Sequence, residues 1–227
     1  MIFRHEVKST ISPGKLRQEN RMNFEIDKKI NLNHFSAKIA EHGQDVKALS
    51  WGSIYSQQIR FRILSEIGDL NNRSLLDLGC GFGDFYLFLK EQNTHPRKYV
   101  GIDINPQMIA VARLRAPEVT FEIKDILGDE MNEKYDYVIA SGIFGLETPN
   151  WQAVTENIIS KMYQLSEIGI GVNFLSFFTT GKKFSNMHYA HPTDIIEFVC
   201  KNLSNKIILR HDYRPNDFTL YIYKPFV

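Results

Sequence analysis

Between Ser74 and Asn202 the chain alternates short apolar runs with helical patterns, and no other feature restricts its fold as much. "SLLDLG" reads as a buried strand before the helical "DFYLFLKEQ". "KYVGID" is a second strand, and "NPQMIAVARLR" is a helix with Asn105 as cap and Pro106 in the first position. "VTFEIKD" alternates as a third strand, and "YDYVIAS" is a fourth before the helical "WQAVTENIISKMYQL". "IGIGVNFLS" is a fifth, followed by the helix "PTDIIEFVCKNL". Strands joined through helices run parallel, because each helix carries the chain back to the same end of the sheet. The two last runs, "KIILRHDY" and "FTLYIYKPF", are separated only by "RPND", too short for a helical crossover, so they form an antiparallel hairpin. The expected fold is therefore α/β: a seven-stranded, mostly parallel sheet with a C-terminal antiparallel hairpin and helices on both faces.

Upstream, residues 1–22 are polar and contain the breaker "SPGK", which predicts a flexible arm. A helix follows around "FEIDKKINLNHFSAKIAEHG", with Gly43 as its stop. "WGSIYSQQIRFRILSEIG" predicts another, capped by Ser53 and stopped by Gly68, with Tyr55, Ile59 and Ile63 recurring along one face. These segments, over 23–70, form an N-terminal helical cover on a single domain spanning 23–227. A length of 227 residues with 43% hydrophobic content suits one sizeable core.

A formal net charge of +1 leaves no global field to draw in nucleic acid or an acidic membrane. Cys80 and Cys200 lie far apart without metal-ligand spacing, so neither a disulfide framework nor a metal site is expected. The first residues, "MIFRHEVKSTISPGK", have no apolar signal core and no window approaches a membrane span, which predicts a cytoplasmic protein.

The chemistry concentrates after the first strand, in "DLGCGFGD". In sheets of this kind ligands bind beyond the carboxyl ends of the strands, where strand order reverses. Glycine permits positive φ there and lets the backbone approach a ligand closely. A dinucleotide fingerprint, G-x-G-x-x-G, would put its third glycine at position 84, where Asp84 stands. A carboxylate at the helix mouth repels a pyrophosphate. The actual spacing, D-x-G-x-G-x-G from Asp77 to Gly83, fits a ligand without phosphates and argues against a nicotinamide dehydrogenase. The second strand ends in Asp103, placed to accept hydrogen bonds from ribose hydroxyls, and the third ends in Asp125. Carboxylates on one rim suit a cationic nucleoside carrying an amino acid.

The order "LLDLGCGFGDF", "YVGIDIN", "FEIKDIL", "YDYVIASGIF" resembles the class I S-adenosylmethionine-dependent methyltransferases, with their Rossmann-like fold, over roughly residues 50–227. The resemblance implies that S-adenosylmethionine binds here, leaving S-adenosylhomocysteine as product. Gly79, Cys80 and Gly81 would contact its methionine part, and Asp77 would help hold its amino group. Asp103 would take the ribose hydroxyls, with Ile104 against the adenine, and Met108 would be among the cofactor-binding residues. Asp125 and the backbone of Ile126 would meet the adenine amino group, and Ser141 and Gly142 would close the cleft over the methionine moiety. The upstream "HG...WGS...SQQIRF" and terminal "RHDY...FTLYIYK" resemble a subgroup of small bacterial methyltransferases, which implies Arg60 as partner of the methionine carboxylate, with Trp51 and Gln57 nearby.

On the acceptor side, the chain lacks an Asn/Asp-Pro-Pro-aromatic turn after the fourth strand and a Pro-Cys nucleophile, and it carries no recognisable RNA module. The expected acceptor is a small molecule methylated on oxygen or nitrogen, not a nucleic acid. Acceptor contacts are expected from Asn173 and Phe174, from the long connection "LSFFTTGKKFSNMHYAH" and from "RHDY". His188, Tyr189 and His211 are candidates for base or acceptor ligand, Phe177, Phe178 and Phe184 for an aromatic wall. Alternatively "RHDY" only shapes the hairpin, by an Arg–Asp pair with Tyr213 packed at the corner. A non-catalytic protein that binds the same cofactor for regulation or assembly is the second functional reading.

Overall fold

A computed structural model describes residues 13–225. Helix α1 (Pro13–His42) starts at the proline of "SPGK", because a residue without an N–H loses nothing in a first helical turn. The arm expected over 1–22 is thus helical from Pro13, and its remainder, 1–12, lies outside the described residues. Gly43, at φ +61, ends α1 as expected, its N–H bonding Ile39 O at 2.8 Å. After a 3-10 turn (Val46–Leu49), Ser53 caps α2 (Ile54–Ser65) in a capping box with Ser56. Tyr55 departs from the expected stripe: it is 71% exposed, whereas Ile59 and Ile63 are buried. It sits in the first turn, and the buried face of α2 runs from Ser56 to Leu64 instead.

The sheet follows as β1 (Ser74–Leu78), α3 (Asp84–Glu91), β2 (Lys98–Asp103), α4 (Pro106–Arg115), β3 (Thr120–Ile123), β4 (Tyr135–Ala140), α5 (Trp151–Leu165), β5 (Ser166–Leu175), α6 (Pro192–Asn202), β6 (Ile207–Arg210) and β7 (Asp217–Tyr223). The strand order is β3-β2-β1-β4-β5-β7-β6. Only β7 runs against its neighbours, inserted between β5 and β6 by the terminal hairpin. Successive residues of a strand face opposite sides, so Leu75 and Leu76 enter different cores. Leu75, Tyr99 and Ile139 pack with Phe61, Phe85 and Ile109 of α2, α3 and α4. Leu76, Val100 and Val138 pack with Ile159 of α5 and with Ile195 and Val199 of α6. Order reverses between β1 and β4, so their carboxyl ends open a crevice, and the glycine loop lies in it.

Candidate functional site

The loop after β1 needs its glycines for two different reasons. Gly79, Gly81 and Gly83 all have positive φ, and a Cβ on Gly79 would collide with Ile143. Asp103 holds the loop from β2: its Oδ2 accepts the Gly81 N–H at 3.1 Å and its Oδ1 accepts the Asn105 N–H at 2.8 Å. Burial raises the pKa of Asp103, and these backbone donors oppose the shift. Asp77 is buried beside it, and Tyr99 Oη donates to its Oδ2 at 2.5 Å. Burial, with Asp103 and Asp84 near by, pushes Asp77 up to about 7 despite the tyrosine bond.

A cavity of about 200 Å³ lies over this loop and beneath α1. Of the residues expected to hold a cofactor, Trp51, Gln57, Asp77, Gly79, Cys80 and Gly81 line it. So do Asp103, Ile104, Asp125, Ile126, Ser141 and Gly142, from the ends of β2, β3 and β4, and Met108 from the first turn of α4. Gln57 Nε2 donates to Asp84 Oδ2 at 3.0 Å, tying α2 to the mouth of α3. Asn105 spends its Oδ1 on capping α4, while its Nδ2 is buried on the cavity wall without a partner among the described residues. An orphaned donor, backbone exposed by glycine and a ring of aspartates fit a polar, cationic ligand.

Arg60 is the exception and a correction. It does not line this cavity; its Nη2 pairs with fully buried Asp217, its Nη1 donates to Ser56 O at 2.8 Å, and its guanidinium stacks 4.5 Å from the Trp51 ring. Burial lowers its pKa, and Asp217 pulls it back up. A carboxylate 157 positions away leaves no trace in local sequence, so the subgroup resemblance that implied Arg60 could not show that it was already engaged.

Helix α1 closes the cleft with two contacts that sequence patterning did not reveal. Asp27, 1% exposed, accepts from Thr148 Oγ1 at 2.7 Å, Asn150 N at 3.1 Å and Asn150 Nδ2 at 3.0 Å. Its charge therefore also meets the N-terminus of α5. Lys28 Nζ lies 2.9 Å from Asp125 Oδ2, and that bond raises the lysine pKa. Asp27→Ala should strand buried donors and cost about 1–3 kcal/mol. Amide exchange should accelerate in α1 and at the start of α5 while β1 and β4 stay protected; unchanged exchange in α1 would show that Asp27 does not hold it.

A second cavity, of about 580 Å³, shares a wall with the first: Phe35, Leu49, Trp51, Gly142 and Leu146 line both. Asn173 of β5 holds that wall, accepting from Gly142 N at 2.8 Å and donating to Ser141 Oγ at 3.1 Å. Tyr189, Phe184 and Phe174 line the second cavity, together with Thr179 and Gly181 of the long connection. His188 and His211 line neither cavity. His188 stacks on Trp151 at 3.5 Å between centroids and its Nδ1 lies 2.8 Å from Glu147 Oε2, while His211 packs against Phe178 and Phe218. Phe177 stacks on His191 and, like Phe178, stays outside. The hairpin corner follows the structural alternative: Arg210 grips Asp212, and Tyr213 Oη meets Thr219 Oγ1 at 2.9 Å. His34 of α1 is the imidazole that does line this cavity, 2.9 Å from Ser50 Oγ, and burial lowers its pKa.

The methyltransferase domain family matches residues 75–163, which span the glycine loop, all three aspartates and the turn after β4. The chain carries a methyltransferase domain over these residues. A methyltransferase relative from Mycobacterium tuberculosis is 29% identical over 156 residues, covering 66% of this chain and 93% of the relative. The malonyl-[acyl-carrier protein] O-methyltransferase of Acetivibrio thermocellus is 33% identical over 175 residues, covering 74% of this chain and 56% of that enzyme. The chain thus spans just over half the length of the second relative. Among solved structures, the magnesium protoporphyrin IX methyltransferase of Synechocystis with bound S-adenosylhomocysteine superposes with a TM-score of 0.63 at 19% identity, covering 87% of this chain and 100% of that one. The N-methyltransferase NodS of Bradyrhizobium japonicum gives 0.62 at 16% identity, covering 86% and 100%. At such identities these structures speak for the methyltransferase fold alone. Among the described residues, no helix of this methyltransferase is long and apolar enough to cross a membrane, and no cluster of ligating side chains could hold a metal ion.

Proposed function

We propose that this methyltransferase moves the methyl group of S-adenosylmethionine onto an oxygen or nitrogen of a small molecule held in the second cavity, and that it works in the cytoplasm. The observation that carries this reading is the shared wall at Trp51 and Gly142, where a ligand on the glycine loop and one in the second cavity would meet. S-adenosylmethionine supplies an electrophilic methyl on a sulfonium. Asp103 would accept from the ribose hydroxyls, Ile104 and Met108 would pack on the adenine, and Asp125 with Ile126 would meet its amino group. Asp77 would face the ammonium of the methionine part, and Ser141 and Gly142 would border the sulfur. The chain's task is alignment in a dry cleft, to which orientation can contribute about 7–11 kcal/mol. Tyr189 is kept as an acceptor-side residue; His188 and His211 are not, because each is engaged outside the cavity.

Calorimetric titration with S-adenosylmethionine, S-adenosylhomocysteine and NAD tests the reading. The first two should bind in the micromolar range and NAD should give no heat; preference for NAD would overturn it. Asp77 adds a second signature. With a folded pKa near about 7 against an ordinary value of about 4, its proton stabilises the empty fold at low pH. That contribution is lost as pH rises from about 4 to about 7. An ammonium beside Asp77 lowers its pKa, so binding at pH 7 should release roughly half a proton. The measured heat should therefore vary with buffer ionisation enthalpy, and Asp77→Asn should remove that variation. A buffer-independent heat in the wild type would remove Asp77 from the ammonium site.

A further inference from the structure

The two cavities differ in the sign of their charge. The glycine-loop cavity sets Asp27, Asp77, Asp84, Asp103 and Asp125 against Lys28 and Lys124. The second cavity is lined by Arg60, Lys182 and Arg214, and by no carboxylate among the described residues. Behind it, Asp217 is fully buried, with Oδ1 paired to Arg60 and Oδ2 at 3.1 Å from Arg214 Nε. Two guanidiniums on one carboxylate leave the trio with a net positive charge, to which Lys182 adds another. Much of the remaining wall is apolar or aromatic, with Leu49, Phe174, Leu175, Phe184 and Met187.

We propose that the second cavity takes an organic carboxylate, its apolar body against Phe174, Leu175 and Phe184 and its carboxylate held by Arg214 and Lys182. The inference rests on reading that cavity as the acceptor site. A guanidinium presents its donors in a planar fork that matches the two oxygens of a carboxylate. Arg214 Nε lies 3.1 Å from Asp217 Oδ2, an ion pair that keeps the guanidinium at the cavity wall. A monoanion balances the surplus of the Arg60–Asp217–Arg214 trio and leaves Lys182, on the connection, as a second donor to its other oxygen. The two cavities would thereby sort a cationic donor from an anionic acceptor before either meets the shared wall.

The test uses the full chain saturated with S-adenosylhomocysteine and the probes 3-phenylpropionate, octanoate, their neutral amides and phenyl phosphate, followed by ligand-observed NMR. Each carboxylate should bind about tenfold or more tightly than its amide, with the advantage shrinking as salt is raised. Arg214→Gln should remove about tenfold of carboxylate affinity and leave the amides alone; Asp217 keeps Arg60 in that variant. Lys182→Gln, on the exposed connection, should act in the same direction with no burden on folding. Equal binding of acid and amide, binding of neither, or preference for phenyl phosphate would overturn the proposal. Titration of S-adenosylhomocysteine on the same sample reads separately. Silence there would defeat the donor-site reading, while the acid–amide comparison without it would still decide the charge of the second site.

Discussion

Asp217→Ala is expected to lower the free energy of unfolding by about 3–5 kcal/mol, seen as a fall in urea midpoint at constant slope. The carboxylate is fully buried at the start of β7, beside Leu175 of β5, and it is shared by Arg60 and Arg214. Arg60 has 6% exposure and, among the described residues, no second carboxylate to turn to, so the variant leaves a largely buried cation without its counter-ion. The stack of Trp51 on Arg60 does not replace that charge, since cation–π attraction contributes only about 0.5–2 kcal/mol. The double variant Arg60→Met with Asp217→Leu should recover most of the loss, because an ion pair exchanged for apolar groups of similar volume is often neutral. A loss below about 1 kcal/mol in Asp217→Ala would mean that the pair is solvated in solution, and with it the floor of the second cavity.

The fold was legible because its signals are local. Alternating apolar runs, the Asn105–Pro106 cap, the Ser53 cap and the Gly43 stop each depend on residues within a turn of one another, and each appears where expected. Most of the residues proposed for the donor side line one cavity for the same reason, because they follow strand ends that the alternation itself defines. The second cavity was not legible. The pairs that build it, Arg60 with Asp217 and Asn173 with Ser141 and Gly142, join segments that no periodicity connects. His34 was invisible for a related reason: a lone histidine on a polar helix carries no motif, and only the docking of α1 through Asp27 and Lys28 brings it to the cavity. His188 and His211 attracted attention by residue type in a loop and a hairpin, yet each is absorbed by aromatic packing. Ile123 shows the limit of alternation too, for it shares a face with Phe121 but is 51% exposed on the edge strand β3.

Asp103→Ala should weaken S-adenosylhomocysteine binding by about 1.5–3 kcal/mol, a loss of roughly ten- to 150-fold. Two causes would add: the ribose hydroxyls lose a charged acceptor, and the Gly81 N–H loses the carboxylate that fixes the loop. They can be separated with a ligand lacking the ribose hydroxyls, because the first cause acts only through those groups. Wild-type protein should discriminate strongly between S-adenosylhomocysteine and its 2′,3′-dideoxy analogue. The variant should bind the two almost equally, and the shortfall of the analogue against the wild type then measures the loop alone. Asp103→Asn belongs between them: its one carbonyl oxygen can still accept from Gly81 or from Asn105, while the charge that strengthens the hydroxyl bonds is gone. If the variant retains the wild-type discrimination between the two ligands, Asp103 serves the glycine loop and the ribose is held elsewhere on the rim, with the unpartnered Nδ2 of Asn105 as the first donor to examine.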